Sequence, residues 1–138
     1  MDLAAAMVAS PEMFSGTRPD NLGVKDGRFA ACKTTPNCVS SQADPGDRQH
    51  YIAPLAFAGT IGELRRAVES MTRATVIREE GNYLYAEYKS ALMGYVDDVE
   101  FLKAGDLLHV RSASRLGRSD LGLNRRRVEE IRTLLTRP

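Results

Sequence analysis

Residues 95–114, YVDDVEFLKAGDLLHVRSAS, determine the architecture of this chain. Apolar and polar side chains alternate on both sides of a break at Ala104-Gly105, which is the pattern of a β-hairpin with one buried face. A two-residue turn at Ala104-Gly105 predicts a register in which Leu102 lies opposite Leu107. The two strands are therefore expected to be antiparallel neighbours in one sheet.

The two faces of this hairpin differ in polarity. Val99, Phe101 and Asp97 project to one side, and the two apolar residues predict that this side is the core. Asp98 projects to the other side, where the same register places it opposite Arg111. We therefore expect a structural salt bridge between Asp98 and Arg111 on a wetter face.

Elements that flank the hairpin complete the predicted fold. Strand-like stretches at 74–79 and 83–90 precede it, and the turns between strands are too short for anything but antiparallel pairing. A capping box that begins at Thr60 starts a helix reaching about residue 72, and a second amphipathic helix covers 123–135. The predicted fold class is α+β, a four-stranded antiparallel meander with an N-terminal and a C-terminal helix packed on one face.

The chain before Thr60 lacks sustained periodicity. Prolines and glycines interrupt residues 1–59 throughout, which predicts an extended, loop-rich N-terminal segment. The length of 138 residues fits a single domain. We therefore divide the chain into an N-terminal extension at 1–30, partly mobile, and a single α+β domain at 31–138.

Composition argues against several classes of protein. An apolar fraction of 43% is typical of globular chains, and no apolar run approaches the roughly 20 residues that span a bilayer, so no transmembrane segment is predicted. Asp2 stands where a secretory signal would carry basic residues, although a mature exported protein would look the same. We expect a soluble protein, and both the cytoplasm and the periplasm stay open as its compartment.

Charge is unevenly distributed along the chain. The net charge of +1 argues against nucleic acid as a partner. Residues 111–138, however, carry eight arginines against three carboxylates. A basic C-terminal face of this kind favours an anionic small molecule or an acidic protein surface as partner. A solvated helix surface explains the same charges without any partner.

Cys32 and Cys38 are the two cysteines of the chain, and they lie in a loop-like stretch. A bond between them would close a short loop and contribute about 2 kcal/mol. Free thiols would suit a reducing compartment, and a metal site would need further ligands that no spacing supplies. The residues alone leave a disulfide, free structural thiols and reactive thiols open.

The segment from Arg111 to Arg127 joins the last predicted strand to the last helix. Backbone N–H groups at a helix start and arginine guanidinium groups are natural partners of a phosphate, sulfate or carboxylate. The anion-binding hypothesis names Ser114, Arg115, Arg118, Ser119, Asn124 and Arg125. The competing interpretation is structural, because neighbouring carboxylates can neutralise the arginines.

The side chain that offers a catalytic hypothesis is Asp97. A carboxylate on an apolar face must be hydrogen-bonded or have its pKa raised, and a raised pKa suits a general acid or base. We favour the structural interpretation, in which Asp97 is a buried acceptor for Ser112, Ser114 or a loop backbone. The sequence has no phosphate-binding loop, dinucleotide fingerprint or nucleophile elbow, and residues 44–50 lack metal-ligand spacing. No cofactor and no metal are predicted.

Three motifs in a fixed order connect the chain with a family. They are PNCVSS at 36–41, YVDDVEF at 95–101 and RSASR at 111–115, followed by Asn124-Arg125 and Arg127. Together they make the stretch from about Cys32 to Leu135 resemble the domain of unknown function 1499 family, found in bacteria and photosynthetic eukaryotes. The resemblance implies no established activity, so no catalytic residue is carried over. Because members are often exported, lipid-anchored or plastid-targeted, it also favours the Cys32–Cys38 disulfide.

Three functions follow as hypotheses. The first is a non-enzymatic binding or accessory domain, with an anion- or acidic-partner-binding surface near the loop before the last helix. The second is a hydrolase or transferase whose site centres on Asp97 and the Arg111–Arg125 loop. The third is a structural partner in an assembly, which would expose a large apolar patch. The absence of a catalytic motif in the sequence favours the first.

Overall fold

One antiparallel sheet and two helices make up the part of the chain that a computed structural model describes, residues 14–137. The helices are α1 (Ile61–Glu69) and α2 (Leu123–Leu135). The strands are β1 (Cys38–Ser40), β2 (Leu55–Ala56), β3 (Ala74–Glu80), β4 (Tyr83–Lys89), β5 (Val96–Ala104) and β6 (Leu107–Ser114). The sheet order is β1-β6-β5-β4-β3, and β2 also pairs with β6. The predicted α+β class and antiparallel sheet are confirmed.

The sheet has six strands in the described residues, so the prediction of four strands was too low. The two additional strands, β1 and β2, are three and two residues long and lie in the segment predicted to be loop. Strands this short show no alternation in the sequence. Their positions come from pairing with β6, at Cys38↔Ala113 and Leu55↔Leu108.

The β5–β6 hairpin differs from its predicted register by two residues. Ala104 pairs with Leu107, so the turn residues are Gly105 and Asp106. Gly105 adopts a φ of 61°, a left-handed conformation that glycine reaches without the steric cost an alanine would incur. Because two residues are one full side-chain repeat of a strand, the predicted faces remain while the cross-strand partners change.

Both helices pack on the same face of the sheet. The Thr60 hydroxyl accepts the N–H of Glu63 and starts α1, as the capping box predicts. Apolar side chains at helical spacing meet alternate residues of the central strands, and each contributes about 1.5–3 kcal/mol by leaving water. This core includes Ile61, Leu64, Val68, Leu84, Val99, Phe101, Leu108, Val110, Val128 and Ile131.

The opposite face of the sheet, which was expected to be wetter, is covered by the N-terminal segment. Phe29 packs against Tyr83, and the Gly23 N–H donates to Glu100 Oε1 at 2.7 Å. Glu100 is therefore fully buried, although the hairpin pattern predicts a solvated position. The described part of the predicted N-terminal extension lies against the sheet, while residues 1–13 are outside the described residues.

Cys32 and Cys38 form a disulfide. The sequence alone had left a disulfide, free structural thiols and reactive thiols open, and the structure has the disulfide. Their Cα atoms are 5.7 Å apart, a normal separation for a disulfide. Cys38 is the first residue of β1 and pairs with Ala113 of β6. The disulfide therefore attaches the N-terminal segment to the sheet near the end of β6.

Candidate functional site

One end of the sheet gathers many of the polar residues that the sequence singled out. β5 begins and β6 ends there, with Asp97 opposite Ser114, and the loops at 90–95 and 115–122 leave the sheet at this end. We call it the Asp97 end. A cleft of about 710 Å³ opens there, next to both loops, the connection from α1 to β3, and α2. Its lining includes Tyr88, Tyr95, Asp97, Ser114, Ser119, Asp120, Arg127 and Glu130.

Asp97 lines the cleft with only 5% of its surface exposed. Its Oδ2 accepts a hydrogen bond from Arg127 Nη1 at 2.8 Å, and the Ser114 hydroxyl is a second partner. Burial raises the pKa of the Asp97 carboxyl above its ordinary value, although Arg127 and Ser114 oppose the shift. Asp97 is therefore a hydrogen-bonded buried carboxylate and also a cleft residue.

Arg127, the partner of Asp97, is fixed by further contacts on both sides. Its Nη1 also donates to Asn124 Oδ1 at 3.0 Å. Its guanidinium carbon lies 5.0 Å from the centre of the Tyr88 ring. A cation within about 6 Å of an aromatic face is attracted by the charge distribution of the ring. These contacts hold the guanidinium group in one orientation in the cleft.

Asn124 connects these groups from a fully buried position in the first turn of α2. Its Oδ1 accepts a hydrogen bond from Ser112 Oγ at 2.6 Å. Its Nδ2 donates to Ser114 Oγ at 2.8 Å and to Asp120 Oδ2 at 2.7 Å. A side-chain amide has two N–H donors and an oxygen that can accept two hydrogen bonds, and Asn124 uses both its donors and its acceptor. The Asn124 network thus joins β6, the loop at 115–122 and α2.

Asp120 fills the anion position at the start of α2. Its Oδ1 accepts the N–H of Gly122 at 2.9 Å, and its Oδ2 accepts the N–H of Asn124 at 3.0 Å. Partial burial works to raise the pKa of the Asp120 carboxyl, but the hydrogen bonds from Asn124 and Gly122 lower it overall. The helix start, where the sequence predicts an external anion, is therefore occupied by a carboxylate of the chain itself.

The six residues of the anion-binding hypothesis lie in different places. Ser114 and Ser119 line the cleft, and Asn124 is buried behind it. Arg118 is exposed on the loop at 115–122. Arg125 donates to two carbonyl groups of the connection between β1 and β2. The structure thus brings two of these side chains into the cleft itself.

Arg115, the sixth residue, lies on the opposite face of the sheet. Its Nε and Nη2 each donate to an oxygen of Asp98 at 2.9 Å, and Nη2 also contacts Glu87. This cluster replaces the predicted salt bridge between Asp98 and Arg111. The two-residue change in register moves Arg111 along β5 to Glu100, with 3.9 Å between Nη1 and Oε2. Asp98 is then free to pair with Arg115.

The residues that line the cleft lie within the region matched by one family model. A family model described as "Protein of unknown function (DUF1499)" matches residues 28–135, most of the chain. The chain belongs to the DUF1499 family. The match confirms the resemblance seen in the sequence motifs. No curated protein and no solved structure matches this DUF1499 chain.

Arg127, Asp120 and Tyr88 were not among the residues that the sequence named for the anion site of this DUF1499 domain, although Arg127 and Asp120 lie in the segment from Arg111 to Arg127. Arg127 follows Asn124 by three positions, so helical spacing could have placed both on the buried face of α2 with Val128. Asp120 precedes a helix, where an aspartate typically accepts backbone N–H groups. Tyr88 gives no such signal, because it reaches Arg127 only through the packing of α2 on β4.

Two features are absent from residues 14–137 of the DUF1499 domain. No group of three or more histidine, cysteine, aspartate or glutamate side chains in this range is placed to hold a metal ion. None of the helices in the same range is long and apolar enough to cross a membrane. The cleft presents a buried ion pair, several hydroxyl groups and Tyr95, whose ring stacks on Phe14 with 5.0 Å between the ring centres.

Proposed function

We propose that this DUF1499 domain is a non-enzymatic binding module whose ligand enters the cleft at the Asp97 end. The observation that carries the proposal is the Asp97–Arg127 pair, buried beside the cleft and oriented by Asn124. A buried ion pair contributes little net stability, because lost hydration offsets the attraction. A concave site with a few oriented polar groups among apolar ones is, however, the usual form of a small-molecule site.

The charges that line the cleft favour a particular class of ligand. The cationic side chains are Arg73, Lys89 and Arg127, and the anionic ones are Asp97, Asp120 and Glu130. Because the two signs balance, the cleft has little net attraction for a simple anion or cation. A ligand with both donors and acceptors, a hydroxylated or zwitterionic small molecule, matches this lining best. The exposed side chains of Tyr95 and Leu123 add apolar contact.

The acidic partner expected from the sequence fits the outside of the cleft better than its interior. Arg118 is exposed on the loop at 115–122, and Arg126 is exposed in the first turn of α2. Inside the cleft, the carboxylates of Asp97 and Glu130 offset the attraction that Arg127 would exert on a simple anion such as phosphate. We therefore keep anion binding as a proposal for the outer surface, and we assign the neutral or zwitterionic ligand to the interior.

Thermal melts with a compound panel test this proposal. We expect a polyol or an amino acid to raise the melting temperature, and citrate and phosphate at matched ionic strength to have no such effect. The double variant Asp97→Leu/Arg127→Met should stay folded, because apolar replacement of both partners of a buried pair is often neutral. The melting temperature of this double variant should not rise with the polyol or the amino acid, whereas that of Arg118→Ala should rise as in the wild-type protein. A panel in which no compound stabilises the wild-type protein more than the double variant contradicts the proposal.

One observation favours a second candidate function, an enzyme that uses Asp97 as a general acid. Burial raises the pKa of this carboxyl, and the residue lines a cleft. Such a hydrolase would turn over a chromogenic ester, phosphate ester or glycoside. Asp97→Asn should then abolish turnover while ligand-induced stabilisation remains. Turnover that survives Asp97→Asn would exclude Asp97 as the acid.

A further inference from the structure

Large apolar side chains are exposed mainly at the Asp97 end. Seven such side chains are exposed among residues 14–137, and five of them lie in or beside the loops at 90–95 and 115–122. We call these five the leucine rim: Leu92, Tyr95, Leu116, Leu121 and Leu123. Tyr95, Leu116 and Leu123 also line the cleft, so the leucine rim borders its opening.

Leu121 is the most exposed member of the leucine rim, at 85%, and Leu92 follows at 76%. The Leu121 backbone has a φ of 53°, in the left-handed region, which costs a residue with a Cβ roughly 1–2 kcal/mol. Neither internal packing nor backbone preference therefore accounts for a leucine at this position. An exposed apolar side chain held in an unfavourable conformation indicates a contact made outside the chain.

Two exposed arginines lie beside the leucine rim. Arg118 is exposed on the same loop as Leu121. Arg126, also exposed, donates from Nη1 to the Leu121 carbonyl at 2.7 Å. The carboxylate of this loop, Asp120, is turned inward to the backbone of α2. The leucine rim therefore carries guanidinium groups next to its leucines, and this combination complements a surface that is anionic and has an apolar interior.

We propose that the leucine rim docks on the surface of an anionic phospholipid bilayer, with the opening of the cleft towards the membrane. Single leucines on two separate loops can each insert among lipid headgroups, whereas a protein interface typically buries one contiguous apolar core. The adjacent guanidinium groups interact with the lipid phosphates. The docking is peripheral and does not depend on which ligand the cleft binds.

The sequence contains no tryptophan, which makes the docking measurable at single positions. Leu92→Trp and Leu121→Trp each place one fluorophore on the leucine rim. Leu107→Trp is the matched control, because Leu107 is also exposed but lies at the β5–β6 turn, the opposite end of the sheet. With vesicles of phosphatidylcholine and phosphatidylglycerol, the rim reporters should shift to the blue and be quenched by brominated lipid, and Leu107→Trp should not. No shift from the rim reporters, or an equal shift from all three, overturns the proposal.

Vesicle sedimentation distinguishes the contribution of the leucines to vesicle affinity from that of the arginines. Leu92→Ser and Leu121→Ser should each lower the affinity for anionic vesicles about tenfold. The double variant Arg118→Gln/Arg126→Gln should lower it roughly thirtyfold and leave the weaker binding to pure phosphatidylcholine unchanged. Variants that sediment like the wild-type protein overturn the proposal.

Two further outcomes distinguish docking from other events. Asp97→Leu/Arg127→Met should bind vesicles like the wild-type protein, because its changes lie inside the cleft, so loss of the cleft ligand and loss of docking are separable. A blue shift of the rim reporters that needs no vesicles and grows with protein concentration would show that the leucine rim contacts a second copy of the chain, and it overturns membrane docking.

Discussion

Among single residues, Asn124 makes the contacts that hold the cleft together. Its buried side chain bonds to Ser112, Ser114 and Asp120. Removing it takes one hydrogen bond from each of these partners, at a cost of about 1–3 kcal/mol. We therefore expect Asn124→Ala to lower the free energy of unfolding in urea by about 2 kcal/mol. The exposed Asn21→Ala should change it by less than about 0.5 kcal/mol, and equal losses for the two variants would contradict this role.

His50 makes the stability of the domain depend on pH. Its Nδ1 lies 2.7 Å from Asp47 Oδ2 and its Nε2 lies 2.9 Å from the Thr35 carbonyl, so both ring nitrogens face acceptors. Gln49 Nε2 donates to the Thr34 carbonyl at 2.8 Å and also lies 3.1 Å from His50 Nε2. Burial works to lower the pKa of His50, but the hydrogen bonds to Thr35 and Asp47 raise it above its ordinary value of 6.5.

Because the pKa of His50 is raised in the folded protein, protonated His50 stabilises the folded state. A group with a higher pKa in the folded than in the unfolded state binds protons more tightly when folded. The contribution of His50 to the free energy of unfolding is complete below pH 6.5, and it is lost as the pH rises through the raised pKa of His50 in the folded protein. We expect the free energy of unfolding of the wild-type protein to fall over that range relative to His50→Gln, measured by urea denaturation at a series of pH values. Parallel curves for the two proteins would rule out this contribution.

The residues of the site were only partly predictable. Asp97 and Ser114 could be placed together, because strand alternation sets which residues share a face. The roles of Asn124 and Arg127 could not, because a polar residue near a helix start is usually solvated. Here Asn124 is buried against β6, and Arg127 is half-buried against Tyr88 of β4. Nothing local in the sequence encodes those contacts.

At the level of secondary structure elements, length separates what the sequence predicts from what it does not. β3 to β6 each span seven residues or more, so alternation and glycine turns are visible, and both helices carry apolar spacing. β1 and β2 are too short for any period. The register of β5 on β6 depended on whether Ala104 or Gly105 begins the turn, and the positive φ of that position selects glycine.

The disulfide supports β1, and the residue before β1 contacts the loop at 115–122. It ends at the first residue of β1, directly after Asn37, whose Nδ2 donates to the Gly117 carbonyl at 2.8 Å. We expect Cys32→Ser/Cys38→Ser to lower the free energy of unfolding in urea by about 2 kcal/mol, because the unfolded chain gains freedom. Dithiothreitol should produce the same loss in the wild-type protein and none in the double variant. An unchanged wild-type midpoint after confirmed reduction would refute this prediction.

At the level of the whole molecule, the domain buries charge on both faces of its sheet. The helix-covered face holds the Asp97–Arg127 pair, and the N-terminal segment covers Glu100 and Arg111. Within the described residues, Oε2 of Glu100 and Nε of Arg111 have no hydrogen-bond partner. We infer that the main role of the Glu100–Arg111 pair is to define where the N-terminal segment packs, and that the pair adds little to the stability of the fold.

Substitutions of the Glu100–Arg111 pair test that inference. Glu100→Ala should lower the free energy of unfolding by about 3 kcal/mol, because Arg111 loses its counter-charge and Tyr83 loses its acceptor. Glu100→Leu/Arg111→Met should cost clearly less, since no buried charge is then left alone. Urea denaturation gives both values. A double variant as unstable as the single one would show that the pair itself stabilises the fold.

We propose that the cleft at the Asp97 end binds a hydroxylated or zwitterionic small molecule. The most direct measurement is a two-dimensional nitrogen–proton NMR titration of the isotope-labelled domain with the polyol and amino-acid panel. We predict saturable shifts at the backbone amides of Asp97, Ser114 and Asn124, and their absence in Asp97→Leu/Arg127→Met. Shifts that never saturate, or that map only outside the cleft, would contradict the claim.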